Sequence, residues 1–249
     1  MHKFFTTSEL VDEIYATIVG DDVKHIYKVL RLKEGDQVII NNGLSEEYLG
    51  EIEEVTKEKV IVKIIKKNEI NSESKVNITL FQGMPKAAKM DLIVQKGTEL
   101  GVNNFAPIIT SRVDVKLKGE FKKLERLQRI ALEACKQCKR ARVPEVLEPL
   151  EFKEMLNELE NMDLVVVPYE NATGQGIKQL VKNVPQDGVC DIGIVIGPEG
   201  GFEEEEIEAL KSINAHIVTL GPRILRTETA GLVCTSLIQY EFSDLGGII

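Results

Sequence analysis

Two stretches near the C-terminal end decide how this chain is read. Residues 192–201 run Ile192-Gly193-Ile194-Val195-Ile196-Gly197-Pro198-Glu199-Gly200-Gly201. Residues 216–230 run His216-Ile217-Val218-Thr219-Leu220-Gly221-Pro222-Arg223-Ile224-Leu225-Arg226-Thr227-Glu228-Thr229-Ala230. Each opens as a short, continuously apolar run, which predicts a strand buried on both faces, and each ends in glycine and proline. Glycine there lets the backbone approach a ligand or take positive φ, and proline fixes the direction of the chain. In a parallel sheet ligands bind at the carboxyl ends of the strands, where these loops sit.

Working outward, the same rhythm extends back to residue 76. Strands are expected at Val76–Gln82, Phe105–Thr110, Asp163–Val167, Ile192–Ile196 and His216–Leu220. Helices are expected at Lys86–Leu100, about Phe121–Arg140, Gly176–Lys182, Glu203–Ile213 and about Thr229–Phe242. Strand–helix alternation of this kind means an α/β fold with a mainly parallel sheet covered on both faces. The loop after Asp163–Val167, Pro168-Tyr169-Glu170-Asn171-Ala172-Thr173-Gly174-Gln175-Gly176, is the third of the same character.

Before residue 70 the pattern is β. Asp36–Asn42, Glu47–Val55 and Lys59–Lys66 are rich in Val, Ile and Tyr, with turn residues between them, and a short helix fits Asp21–Leu30. A small barrel is expected for residues 1–70, joined through the polar stretch Lys66–Lys75 to a second domain over 71–249.

The 249 residues carry 31 Lys and Arg against 40 Asp and Glu, a net charge of −9 with a pI near 5.1. No apolar run approaches the ~18–20 residues of a membrane span. The N-terminus, with Glu9, Asp12 and Glu13 close behind Met1, offers no signal-peptide core, so a cytoplasmic protein is expected. Acidity argues at first against a polyanionic partner, but the charge is uneven. Residues 112–142 hold eleven basic and four acidic side chains; residues 143–249 hold six and nineteen. One basic helical region on an acidic body can be simply a solvated face, and it leaves docking on a polyanion through that one face open, without general affinity for polyanions.

The usual nucleotide signatures fail. There is no G-x-x-x-x-G-K-[ST], and Gly174-x-Gly176 lacks a third glycine. Glu203–Glu206 suit a helix start and would repel a phosphate at the same amides, so a neutral or cationic nucleoside fits the loops better. Cys135-Lys-Gln-Cys138 has no second ligand pair, and its place late in a helix predicts packing, not a metal or redox centre.

The combination resembles the SPOUT class of S-adenosylmethionine methyltransferases, and within it the RsmE family. The residues that carry the likeness span nearly the whole chain. They are Phe81-Gln82-Gly83-Met84-Pro85-Lys86, Lys89-Met90, Gln95–Val102, Glu133-Ala134, Gln137-Cys138, Arg140–Pro144, Ile196–Gly201 and Leu220–Ala230. The resemblance implies methylation of uridine N3 in 16S ribosomal RNA, at position 1498, with S-adenosylmethionine as donor and no metal. It also implies a C-terminal trefoil knot, a PUA-like barrel in front, a homodimer, and the small ribosomal subunit as partner, with neither DNA nor membrane.

Carried onto this sequence, the donor pocket would be Pro168, Tyr169, Glu170, Ile196, Gly197, Pro198, Glu199, Gly200, Leu220, Gly221, Ile224 and Leu225. RNA contacts would fall to Lys3, Arg31, Gln137, Arg140 and Arg142, with Lys3 where the family usually has arginine. N3 of uridine carries a proton and is a poor nucleophile until it leaves. Arg226 and Glu228 are the apt pair, one to stabilise the uracil anion or anchor a phosphate, the other to accept the proton directly or through water. The plainer role for the same pair is Glu228 capping the last helix with Arg226 bound to it. A non-catalytic ribosome-associated RNA-binding or assembly factor would use the same barrel and basic helix, but would have no need of three intact loops.

Overall fold

A computed structural model describes residues 1–69, 72–86, 88–114, 121–185 and 188–247. Lys116, Lys118 and Glu120 of the basic region lie outside the described residues. The chain divides into two compact units: Met1–Glu73 with Cys135–Val143, and Ser74–Ala134 with Pro144–Ile249. The contiguous boundary near residue 70 thus has a return, because nine residues late in the chain pack with the first unit.

In the first unit, strands β1 (His2–Phe5), β2 (Tyr15–Val19), β3 (Gln37–Asn41), β4 (Glu47–Val55) and β5 (Lys59–Asn68) form one curled sheet in the order β1-β3-β4-β5-β2. Only β1 and β3 pair in parallel. Thr6 Oγ1 donates to Thr17 O at 2.6 Å and ties the end of β1 to β2. Alternation sends Ala16, Ile18, Val38, Ile40, Val60 and Val62 inward, and they close over Phe4, Val23 and Ile26. The helix α1 (Asp21–Lys24) widens into a π turn, His25–Leu30, and ends at Arg31 with φ 54°. The sequence reading missed β1 and β2. With four and five residues they carry too little alternation to stand out.

In the second unit seven strands make one sheet: β6 (Asn77–Gly83), β7 (Val102–Ile109), β8 (Glu145–Val146), β9 (Leu150–Glu151), β10 (Leu164–Pro168), β11 (Asp191–Ile196) and β12 (His216–Val218). Their order is β12-β10-β11-β6-β7-β8, with β9 also on β7, and every pairing is parallel. Helices α2 (Lys89–Glu99), α3 (Leu124–Cys138), α5 (Ile177–Asn183) and α7 (Thr227–Phe242) share one core around Leu80, Ile194 and Val166. Helices α4 (Phe152–Leu159) and α6 (Glu204–Ser212) pack on the other face around Phe81, Val195 and Val165.

Strands β6 and β11 are buried along almost their whole length, as their unbroken apolar runs predict. Strands β8 and β9 and helix α4 were not expected, and two further elements differ in their bounds. Strand β12 stops at Val218, so Thr219 and Leu220 belong to the loop, and α7 begins at Thr227, two residues early.

Candidate functional site

The carboxyl ends of β10 and β11 and their loops, with Lys89 of α2 and the start of α7, enclose a cleft of about 420 Å³ in the second unit. Eight of the residues predicted for the pocket line it: Pro168, Glu170, Ile196, Gly197, Pro198, Glu199, Ile224 and Leu225. Tyr169, Leu220 and Gly221 line a smaller neighbouring hollow of about 80 Å³. Gly200 lines neither; its carbonyl accepts from Arg112 at 3.1 Å, while the same guanidinium holds Glu203 through two bonds of 2.7 and 2.8 Å.

Two positions show why the loops need glycine. Gly83 ends β6 against the next loop, and a Cβ there would sit 2.3 Å from the backbone nitrogen of Pro198. Gly201 holds φ +71°, a left-handed conformation costly for other residues, at the turn into α6. Glu203 and Glu206 then form a reciprocal cap at the start of that helix, and Glu206 is buried with its other oxygen accepting from Ser111. Part of the acidic run is therefore built into the fold. No cluster of metal-ligating side chains occurs among the described residues.

A buried polar chain joins the loops beneath the cleft. Gln82 Nε2 donates to Thr227 Oγ1 at 2.7 Å, and Thr227 Oγ1 donates to Gly197 O at 2.6 Å. This pins the first residue of α7 to the loop after β11, while Gln82 Oε1 stays buried without a partner among the described residues.

Above it lies a charge cluster that the sequence reading did not assemble. Lys89 Nζ is 2.9 Å from Glu199 Oε1 and 3.3 Å from Glu228 Oε2. Lys86 N also donates to Glu199 Oε1, at 3.1 Å. Burial pushes the Glu199 carboxyl up, but the bonds from Lys89 and from backbone amides outweigh it and hold the group below its usual range. The bond to Glu199 holds Lys89 above its own usual range, so the ammonium stays charged. Lys89 lines the cleft; Glu228 does not. Arg226 lines it as well, exposed at the N-cap of α7.

The plainer role for this pair therefore fails. Among the described residues Glu228, in the first turn of α7, shows no capping hydrogen bond, and its ion pair is with Lys89 and not Arg226. Lys89 and Gln82 stand in motifs the sequence displayed, but their partners are 110 and 145 residues away.

The residues predicted for RNA divide. Arg31 and Gln137 are exposed, and Arg142 is partly so. Lys3 and Arg140 have protein partners. Lys3 Nζ pairs with Glu47 at 2.5 Å and donates to the carbonyls of Lys139 and Arg140 just past α3, where a cation complements the helix dipole. The Arg140 side chain is only 4% exposed and binds Glu73 at 2.9 and 3.1 Å. Glu73 also accepts from the amides of Ala141 and Arg142, so one carboxylate clasps the whole turn. Elsewhere in the basic region Arg112, Arg126 and Lys136 are paired with Glu203, Asp91 and Asp22. Lys122, Lys123, Arg129 and Lys139 remain exposed.

Cys135 is buried in the last turns of α3, and burial pushes its thiol up to about 12; Cys234 is likewise pushed up to about 12. All four cysteines are free. In a thiol-labelling time course at neutral pH, exposed Cys190 is expected to react first and Cys135 and Cys234 only on unfolding, since the thiolate is the reactive form. Fast labelling of Cys135 in the folded protein would contradict the packing role.

Comparison with known proteins places this architecture. A family described as "RNA methyltransferase domain" matches residues 72–239, and one described as "RNA methyltransferase PUA domain" matches 18–65. Ribosomal RNA small subunit methyltransferase E of Bacillus subtilis is 37% identical, the match covering 99% of both chains. The protein of that name from Buchnera aphidicola of Schizaphis graminum is 33% identical over 89% of this chain and 88% of its own. A ribosomal RNA small subunit methyltransferase E from Neisseria gonorrhoeae, solved with S-adenosyl methionine bound, superposes with a TM-score of 0.83 at 28% identity, covering 98% of this chain and 99% of its own. A methyltransferase of Legionella pneumophila in complex with the same cofactor gives 0.81 at 32% identity, covering 98% of each. On the fold, the strand-end cleft and these matches together, the chain belongs to the RNA methyltransferase family, among the relatives named ribosomal RNA small subunit methyltransferase E.

Proposed function

We propose that this chain methylates N3 of a uridine in 16S ribosomal RNA, the position numbered 1498, using S-adenosylmethionine. The observation that carries the reading is the cleft, with its three glycine- and proline-rich loops and its cluster of Lys89, Glu199 and Glu228. Its volume is in the range of small-molecule sites. Glu170 and Glu199 suit a cation, Ile196, Phe202 and Leu225 suit an apolar ring, and the unpartnered Gln82 Oε1 lies beneath. These residues fit the donor, which when bound supplies an electrophilic methyl group on a sulfonium.

The chain's own residues do the rest. Loops 168–170, 196–201 and 224–225 hold the donor. Arg226, exposed at the rim, takes the phosphate of the flipped nucleotide. Glu228 lies behind Lys89, so it receives the N3 proton through water and not by direct contact. In the first unit Arg31, Gln137, Lys139 and Arg142 offer the RNA-facing groups.

A trefoil knot and a homodimer belong to the same proposal. The chain passes from β10 through α5 to β11, then through α6 on the other face to β12, beyond β10, and returns to α7 over β11 and β6. Thr219 N donates to Gln175 O at 2.8 Å beside that return, which supports a threaded chain. Leu92, Leu237 and Tyr240 leave apolar surface exposed on α2 and α7, which pack together, and this supports a symmetric pairing. A cytoplasmic location follows from the substrate; among the described residues no helix is long and apolar enough to cross a membrane.

The test is transfer of labelled methyl to ribosomal subunits from a strain lacking the modification. Label is expected in small subunits and not in large ones. Label in neither, or only in large subunits, would overturn the reading.

A further inference from the structure

The cleft holds one cation whose place is fixed from two sides. Lys89, in the first turn of α2, is gripped by Glu199 from the loop after β11 and by Glu228 from the first turn of α7. Its side chain keeps 30% exposure and lines the cleft, whereas Glu228 keeps 12% and does not. Among the described residues Lys89 is the one cation within ion-pair distance of Glu228. Arg226 shares the cleft but is exposed, and no ion pair fixes it among the described residues.

An ammonium has three N–H donors. Glu199 takes one of them in a 2.9 Å hydrogen bond, and Glu228 Oε2 lies at ion-pair distance, 3.3 Å, without a hydrogen bond among the described residues. Because Lys89 lines the cleft, an acceptor there can meet a remaining N–H. Two carboxylates around one ammonium leave one net negative charge, which a sulfonium would neutralise. That balance lets the ammonium serve a second anion.

We propose that Lys89 is a catalytic residue that donates to a uracil carbonyl oxygen flanking N3 and carries the charge of the uracil anion during transfer. This rests on the uridine-N3 reading. In the step, the N3–H proton leaves through a water to the Glu228 carboxylate, and the N3 electron pair forms the new bond to the methyl carbon. The electron pair of the broken carbon–sulfur bond stays on sulfur. Negative charge is shared with O2 and O4 while the proton is gone, and a fixed cation beside one of those oxygens lowers the barrier because it needs no reorganisation. Glu199 and Glu228 position the ammonium. The other charged groups facing this region are Lys86, paired with Asp114, and Arg226 and Glu170 across the cleft.

The test compares the full-length wild type with Lys89→Met and Lys89→Arg. Single-turnover N3-methyluridine formation is followed on small subunits carrying either uridine or 5-fluorouridine, across pH. Fluorine at C5 makes N3–H more acidic and reduces the need for a cation. Lys89→Met is expected to lose about a hundredfold in rate on uridine at neutral pH. It should regain at least tenfold relative to wild type on 5-fluorouridine, and its rate should keep rising with pH where the wild type has levelled. Equilibrium affinity for S-adenosylmethionine should stay within twofold, which also reports a folded pocket, and Lys89→Arg should fall between. An unchanged Lys89→Met rate on uridine, or an equal loss on both substrates at every pH, would overturn the proposal. So would a loss explained by donor affinity. Failure of the wild type to form N3-methyluridine would overturn the function reading itself, and this inference with it.

Discussion

Gly83→Ala is expected to abolish donor binding and lower the melting temperature by several degrees. The added Cβ would lie 2.3 Å from Pro198 N and 2.7 Å from the carbonyl carbon of Gly197. Both are backbone atoms, so no side chain can rotate away, and the loop after β11 must move. Forcing a methyl group into a packed position costs about 1–3 kcal/mol. In a chain of this size each kcal/mol is worth about 2–4 °C. The larger effect is local. Displacing Gly197 breaks its bond from Thr227, and with it the register between that loop and α7. Affinity for S-adenosylmethionine, measured by calorimetry, should fall at least a hundredfold while circular dichroism stays native; unchanged affinity would contradict the placement of the loop.

The second large effect concerns the first unit. Glu73→Ala should destabilise it by about 3 kcal/mol, the lower end of the cost of stranding one partner of a buried pair, because Glu73 keeps 17% exposure. The change leaves the Arg140 guanidinium without this carboxylate and frees the amides of Ala141 and Arg142. Urea unfolding measures the loss. Glu73→Gln, which keeps one amide acceptor but no charge, should lose less. A neutral Glu73→Ala would show that Arg140 is held by other means and reopen it as an RNA contact.

These two sites show what the sequence displayed and what it hid. Five strands of the parallel sheet were legible because burial on both faces makes them apolar without interruption, as in β10 and β11, whereas β8 and β9, two residues each, carry no pattern. The three ligand loops were legible because only glycine and proline satisfy their backbone demands. Helix α4 was missed although Phe152, Met155, Leu156 and Leu159 keep helical spacing. Its cap is the reciprocal pair Glu151 and Glu154, with no Ser, Thr or Asn to mark a start. Charge counting does not distinguish paired from unpaired cations, because a sum along the chain does not see Glu73, Asp22, Asp91 or Glu203 beside individual cations. Lys89 stayed hidden for the opposite reason: its meaning comes from two carboxylates more than a hundred residues away.

One measurement tests the central claim most directly. Small subunits from a strain lacking the modification are incubated with the wild-type chain and S-adenosylmethionine, and the 16S RNA is mapped by nuclease digestion with mass spectrometry and by primer extension. A single N3-methyluridine, with an extension stop at that one nucleotide because its Watson–Crick edge is blocked, is the result expected. A methyl group on a different atom or base, or none on the small-subunit RNA, would contradict the account.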